Sequence, residues 1–268
     1  MKKLVLLNFI ILIFFIYYKE YVAIPQNYKN YNHNLNYDNT IDIDNTIIKN
    51  LNIQNSSISS VIFNDCKIYI WKKNLRLKFN SNIFYEKNKN FHMEVFSLLG
   101  KELDLGSNQE VFWYWSKREK NSALYWAYHE DFHKTRLKNP FDPLFIKSTL
   151  GIDEIKLEGA IFNENNKEII ISYKKIGSNG EELYFSIFIC KQLNLINKFL
   201  LQNKNKKNLA ICEIIREKNH LIKEINYTWE EEDIKMSIKI NSIKTNIDID
   251  PKNFELPNLE PEINMANE

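Results

Sequence analysis

Apolar and polar side chains alternate one by one along most of the chain from residue 58 onward. The alternation runs through two neighbouring aromatic segments, 111–115 (VFWYW) and 124–128 (LYWAY), and in the first of these both alternating sets are aromatic. Because successive side chains of a strand point to opposite faces, this period predicts strands with at least one buried face. The chain is therefore restricted to folds built on an extended antiparallel sheet.

The same period recurs often enough to predict about ten to eleven antiparallel strands. A sheet of this size is not expected to stay flat, because strand twist curls a large sheet toward a barrel. The predicted strands lie at 66–70, 75–79, 91–95, 111–115, 124–128, 153–162, 167–175, 182–190, 209–216, 220–229 and 234–246. Hairpin turns are expected at 106–108 and 176–180, where glycine is combined with serine and asparagine. No internal repeat is visible, and the pattern predicts one domain over residues 41–258.

Two short helices are expected to accompany the sheet. Asp142 precedes Pro143 and Gly151 follows the segment, which is the pattern of a helix with an N-cap, a first-turn proline and a glycine C-cap. Residues 41–53 carry isoleucine and leucine at mixed helical spacing, and Asp42 or Asp44 is placed to cap that helix.

The N-terminus has the features of an export signal. Two lysines precede an apolar run at 4–18, which is closer to the length of a signal-peptide core than to a membrane span of about 20 residues. The bulky Tyr21 stands where a cleavage site prefers a small residue, so residues 1–24 are either a cleaved signal peptide or an uncleaved anchor. Residues 25–40 are expected to be a disordered polar linker and 259–268 a disordered tail. The predicted location is the periplasm or cell envelope.

Composition excludes some functions and leaves one disulfide undecided. The 36 basic and 34 acidic residues give a net charge of +2, without the basic excess of a nucleic-acid-binding protein. Three cysteines, Cys66, Cys190 and Cys212, permit at most one internal disulfide in an oxidising compartment. Cys190 and Cys212 are the nearest pair, and their spacing does not decide whether they are joined.

Residues 129–133 read HEDFH and match the H-E-x-x-H pattern of zinc proteases. That site needs both histidines one turn apart on a helix and a third ligand downstream. Here the pattern follows a predicted strand directly and Pro140 ends any helix soon after it, so we interpret the match as a coincidence in a surface loop. Ser107 likewise lacks the strand–turn–helix context of a nucleophilic serine. No catalysis, metal or other cofactor is expected.

Three stretches then resemble a known family. They are LLGKELDLGSN at 98–108 with FWYW at 112–115, NPFDP at 139–143, and the closing DPKNFELP at 250–257 after the strand at 236–243. Over about residues 45–258 the chain is similar to the LolA/LolB-like superfamily of periplasmic lipoprotein carriers and lipoprotein-sorting proteins. The resemblance implies a mainly β (α+β) fold, a half-open antiparallel β-barrel with short helices as lids over an apolar cavity. This chain departs from lipoprotein relatives in having no cysteine after its signal.

The resemblance implies binding of lipid or of lipoprotein acyl chains, with inner- or outer-membrane proteins as further partners and no nucleic acid. Aromatic and aliphatic strand residues are the candidates for the cavity wall: Leu77, Phe79, Met93, Val95, Trp113, Trp115, Leu124, Trp126, Phe185 and Ile187. Ordinary core packing under the helix at 142–150 is the alternative for each of them. A membrane-tethered protein-interaction module with a filled barrel is the alternative function, and a zinc hydrolase is a third.

Overall fold

The computed structural model describes residues 45–117, 122–135, 142–177, 180–217 and 220–267. The predicted export signal and linker lie outside these ranges, as do both candidate capping aspartates of the first helix. Within the described ranges, no helix combines the length and the apolar character that crossing a bilayer requires.

Within these ranges fifteen strands form one sheet, and two α-helices and three 3-10 helices accompany it. The strands are β1 Ser60–Lys72, β2 Leu75–Glu86, β3 Asn90–Ser97, β4 Gly100–Ser107, β5 Val111–Ser116, β6 Leu124–Tyr128, β7 Ala160–Glu164, β8 Glu168–Ile176, β9 Glu182–Cys190, β10 Leu195–Asn203, β11 Asn208–Arg216, β12 Ile222–Trp229, β13 Ile234–Lys239, β14 Ser242–Thr245 and β15 Glu262–Asn264. The helices are α1 Asn45–Ser56, α2 Pro143–Ser148 and 3-10 turns at His129–Lys134, Pro251–Phe254 and Met265–Asn267.

The sheet consists of two antiparallel meanders, β1–β6 and β7–β13, joined because β1 pairs with β13. A bulge between Phe63 and Cys66, with Asp65 at a φ of 56°, divides β1 between two partners. Before the bulge β1 pairs with β14, and after it with β13. The edges of the sheet are β7 and β15, and β15 runs parallel to β6.

This large, mostly antiparallel, open sheet with few helices confirms the predicted fold class of a mainly β, half-open barrel. Three details differ from the sequence expectation. The strand count is fifteen rather than ten or eleven, partly because β10 was not recognised. Residues 153–159 are not a strand, since β7 begins only at Ala160. Part of the expected disordered tail is β15.

The second helix begins as predicted, but its C-cap is Thr149, two residues before the expected Gly151. The carboxylate of Asp142 accepts a 2.8 Å hydrogen bond from the Leu144 backbone N–H, Pro143 is the first helical residue, and Gly151 has a φ of 72° after the helix ends. The expected turn at 106–108 starts later than predicted, because Gly106 and Ser107 still belong to β4. Gly106 is needed there, since a Cβ at this position would overlap the indole ring of Trp113.

Candidate ligand-binding face

One face of the sheet, called the inner face here, is almost continuously apolar and carries both α-helices. Strand alternation places its buried side chains directly opposite one another, as in the pairs Ile68–Ile238, Met93–Leu105 and Ile187–Phe199. The opposite side of the sheet is the outer face. The inner face is therefore the largest apolar surface that the fold constructs, and it forms the main core.

A cover lies on the inner face, formed by α1, α2 and residues 149–155. Each part contributes buried apolar side chains to the main core: Ile48 and Leu51 from α1, Phe145 and Ile146 from α2, and Leu150, Ile152 and Ile155 from the segment after it. Asn52 joins α1 to that segment, because its side-chain amide donates to the Ile155 carbonyl and accepts from the Ile155 N–H, both at 2.9 Å. The cover is thus a single connected unit.

Aromatic rings occupy the space between the cover and the sheet. Phe145 of α2 lies edge-on to Phe185 and Tyr227, with ring centroids 6.3 and 6.4 Å apart. Phe185 stacks on Phe199, and Tyr227 stacks on Trp229 at 5.5 Å. In this conformation the protein's own side chains fill the inner face beneath the cover.

Few polar contacts attach the cover to the sheet. The Tyr85 hydroxyl donates a very short hydrogen bond to the carboxylate of Asp153, and the hydroxyls of Thr149 and Tyr227 lie 2.9 Å apart. Burial, with the nearby Asp153 charge and hydrogen bond, raises the pKa of Tyr85 far above its usual range. Lys87 also donates to a carbonyl of α1 at 2.6 Å. Lys147 of α2 donates to the Lys89 carbonyl at 2.9 Å. A neutral contact contributes about 1 kcal/mol and one to a charged group about 1.5–3 kcal/mol, so the seven buried apolar side chains of the cover supply most of the attachment.

The cover leaves one end of the inner face partly exposed. The residues of this open patch are Ile70, Leu77, Phe79, Leu103 and Tyr114, at the ends of β1–β5. By contrast, two surface depressions of about 460 and 390 Å³ near residues 86–89 are lined mostly by polar side chains. The open patch is the place where an apolar ligand would first meet the inner face.

The ten residues predicted to line a cavity divide between the two faces. Met93, Val95, Phe185 and Ile187 are buried on the inner face, and Leu77 and Phe79 belong to its open patch. Trp113, Trp115, Leu124 and Trp126 lie on the outer face, packed with Leu256 and Leu259 of the C-terminal segment. The structure therefore does not bring the ten together into one wall, because Tyr114, and not its tryptophan neighbours, lies opposite the inner-face Leu105.

Several inner-face residues were absent from the prediction. Tyr227 and Trp229 are buried, and alternation along β12 with Ile225 was the signal that could have found them. Phe199 is also buried, but β10 gave no regular alternation. Phe145 was recognisable only as part of a helix.

A charged cluster lies beneath Trp113 on the outer face. Asp104, only 1% exposed, accepts from Trp113 Nε1 at 2.8 Å, contacts His92 Nε2 at 2.9 Å and pairs with the Lys101 ammonium at 2.8 Å. Burial disfavours the charge of Asp104, but the hydrogen bonds and charges of His92 and Lys101 outweigh it and lower its pKa. His92, Glu94 and Asp104 are close enough to share a metal ion. However, Lys101 already bridges the two carboxylates, with Glu94 at 2.5 Å, so the cluster has its own cation.

The H-E-x-x-H segment forms a 3-10 helix at the end of β6. With three residues per turn, side chains four apart point about 120° away from each other, unlike the same spacing in an α-helix. His129 Nε2 lies 2.8 Å from the Asn108 carbonyl, which makes this nitrogen a donor, and Phe132 packs edge-on against Phe112. The segment is placed by packing rather than by ligand geometry, as the interpretation of a coincidental match expects.

The cysteines are free thiols: Cys66, Cys190 and Cys212. Burial raises the pKa of Cys66 and Cys212 to about 12, so both behave as small core residues. The disulfide left undecided by the sequence is not formed in this structure.

No protein-family model matches the sequence, and no curated protein matches it. Solved structures do match in fold. An outer membrane lipoprotein-sorting protein domain from Vibrio parahaemolyticus superposes with a TM-score of 0.55 and 8% identity, covering 78% of this chain and 94% of that one. A LolA superfamily protein from Nitrosomonas europaea gives 0.52 at 7% identity, covering 78% and 96%.

A third structure, a DUF1329 family protein from Desulfovibrio piger, gives a TM-score of 0.51 at 7% identity and covers 78% of this chain and 96% of that one. At such identities the likeness concerns the fold alone. The chain has a LolA-like fold, which confirms the resemblance inferred from its sequence.

Proposed function

We propose that this protein binds the acyl chains of lipids or lipoproteins on its inner face, as a carrier or sorting component of the cell envelope. The observation that carries the proposal is the continuous apolar inner face beneath a cover attached by few polar contacts. The fold shared with a lipoprotein-sorting domain and a LolA superfamily protein supports the same class of function. The apolar run at 4–18 supports export, with tethering if it is not removed.

The mechanism is reversible sequestration. An acyl chain enters at the open patch and moves beneath the cover, where it replaces contacts now made by aromatic side chains such as Phe145 and Phe185. Burial of each methylene contributes about 0.8 kcal/mol, so a chain of about 14 methylenes gains on the order of 10 kcal/mol. The chain takes over apolar contacts that the cover now makes with the sheet, so its burial has to offset both these contacts and the polar contacts of the cover. Ligand and cover thus compete for one apolar surface, and ligand shifts the cover toward its open position.

The test is native mass spectrometry of the chain purified from a bacterial envelope without chelator. We expect bound lipid or acylated peptide and no zinc. Leu77→Gln, in the open patch, should reduce retention several-fold, because it places an amide where the chain enters. The matched control is Leu193→Gln in the β9–β10 turn, where the side chain is 51% exposed and retention should not change. Equal retention in both variants would refute entry at the open patch.

A protein-interaction module is the second candidate, and the filled inner face favours it. In that case the aromatic layer is a permanent core and the cover does not open. A bare protein mass from the same purification would support this alternative and refute stable lipid retention.

A further inference from the structure

The outer face of β1, β2 and β13 carries an unusual combination of side chains. Cross-strand register places Tyr69 opposite Lys78 and Trp71 opposite both Arg76 and Lys235. Tyr69 and Trp71 are half-buried and stack with ring centroids 6.0 Å apart. We name this surface the basic aromatic face; its residues are Tyr69, Trp71, Arg76, Lys78, Lys235 and Lys239.

The cations of this face interact with its rings. The Arg76 guanidinium lies 5.1 Å from the centroid of Tyr69 and 5.4 Å from that of Trp71. Lys78 and Lys239 lie 5.7 and 5.6 Å from the Tyr69 ring. Both residues flank the ring from neighbouring strands, so the aromatic pair is enclosed by positive charge.

The positive charge of this face is largely uncompensated by carboxylates. Among the described residues, none of Arg76, Lys78, Lys235 and Lys239 has a carboxylate within 4.0 Å. Glu224 is opposite Lys239 in the ladder but accepts from the Ser237 hydroxyl. The acidic turn at 230–233 precedes β13 and limits the face at one end. The remaining surface is a positively charged sheet face, complementary to a negatively charged partner.

Two exposed leucines lie beside this face. Phe96 is opposite Asn80, so the β3–β4 turn that follows is adjacent to Lys78. In that turn Leu98 is fully exposed and Leu99 is 66% exposed. The turn is nevertheless ordered, because the Leu99 N–H donates to Ser97 Oγ at 2.9 Å and the Leu99 carbonyl accepts from an ammonium at 2.9 Å. An acidic peptide would use the cations but not these leucines.

We propose that the basic aromatic face docks on an anionic lipid bilayer. Lysine and arginine attract anionic headgroups, tryptophan and tyrosine suit the interface between water and hydrocarbon, and the leucines supply a point of apolar insertion. Cations distributed over neighbouring strands can contact several headgroups at once, whereas a single phosphate would need a pocket. The docking surface is on the opposite side of the sheet from the inner face, so it is independent of the proposed acyl-binding function.

The experiment is flotation of the full chain with vesicles of phosphatidylcholine alone or with 30% phosphatidylglycerol. The N-terminal run is common to all variants, so its contribution cancels when the variants are compared with one another. We expect a preference of at least ten-fold for phosphatidylglycerol. Each basic residue near an anionic surface is worth about five-fold in binding, so the four cations of the face should place the preference well above this ten-fold threshold. Arg76→Gln with Lys78→Gln should then reduce the preference by roughly ten- to twenty-five-fold.

The matched control is Lys49→Gln with Lys156→Gln, which removes the same charge from exposed positions on the cover side. We expect less than a two-fold change, and circular dichroism should show all variants folded. An equal loss in the control would indicate a general charge effect and overturn the proposal. Absence of a phosphatidylglycerol preference would also overturn it, and retention on polyglutamate in that case would assign the face to an acidic polypeptide.

Discussion

Replacement of Asp104 by asparagine tests whether the charged cluster on the outer face holds β3, β4 and β5 together. Asparagine retains one carbonyl oxygen, which in the position of Oδ1 can still accept from both Trp113 Nε1 and His92 Nε2. It loses the charge-assisted contact to Lys101 and points an amide toward the ammonium. A hydrogen bond to a charged group contributes about 1.5–3 kcal/mol, and leaving a buried partner unpaired adds to the loss. Since the Lys101 side chain is 35% exposed, water moderates the effect.

We therefore expect a loss of about 2–4 kcal/mol in the free energy of unfolding at pH 7, measured by urea titration with tryptophan fluorescence. The pKa of Asp104 is lowered by its partners, so its stabilising contribution is present above its usual pKa of about 4 and disappears as the pH falls through the folded value. The deficit of the variant should be present at pH 7 and shrink at pH 3.

Glu94→Gln is the matched control for that variant. Glu94 contacts the Lys101 ammonium from a more exposed position than Asp104, and we expect Glu94→Gln to lower the free energy of unfolding by less than about 1 kcal/mol. If Asp104→Asn is no more destabilising than Glu94→Gln, or if its deficit is unchanged at pH 3, the cluster does not have the stabilising role assigned to it.

Three further changes have defined outcomes. Burial raises the pKa of Asp142 to about 6, so ionisation of this carboxyl lowers the stability of the folded state as the pH rises from about 4 to 6. Asp142→Asn keeps the N-cap and should stabilise by about 1–3 kcal/mol in urea at pH 8 but not at pH 3. Gly106→Ala should lower stability by about 1–3 kcal/mol through overlap with Trp113, and thermal melts should show a smaller loss from the same change in a Trp113→Phe background. Thr149→Val removes the hydroxyl facing buried Tyr227 and should lower the free energy of unfolding in urea by about 1–3 kcal/mol. An unchanged free energy of unfolding would show that the contact is dispensable.

Local pattern was sufficient to predict the fold class and α2. Period-two alternation is a direct consequence of strand geometry, and Asp142 with Pro143 specifies a helix start through one hydrogen bond and one fixed dihedral angle. These signals act over a few residues, which is why they are readable in one sequence.

The elements that were missed depend on distant contacts. In β10 the ladder is irregular between Ile196 and Lys198, so the alternation is interrupted. Residues 153–155 are extended because Asn52 and Tyr85 bind them, not because they pair in the sheet. The β15 strand exists only through parallel pairing with β6, more than a hundred residues earlier in the chain.

The candidate site was predicted only in part because β5 is aromatic on both faces. The sequence shows Trp113 and Trp115 as clearly as Phe112 and Tyr114, and a shift of one residue exchanges the two sets. The pairing of Tyr114 with Leu105 determines which set faces inward, and this pairing exists only in the folded sheet. In β3, by contrast, Met93 and Val95 alternate with polar residues, and in β9 one set of alternating side chains, which includes Phe185 and Ile187, is consistently apolar. In both strands the apolar set faces the core, so its orientation can be predicted.

The most direct test of acyl binding is photo-crosslinking of the purified chain with a diazirine-bearing palmitate, followed by peptide mapping of the labelled residues. Our account expects labels on the inner face and its open patch, at Leu77, Phe79, Phe185 and their neighbours. Excess unlabelled palmitate should remove them. Labels confined to the outer-face tryptophans Trp113 and Trp126, or no competable label at all, would contradict the account.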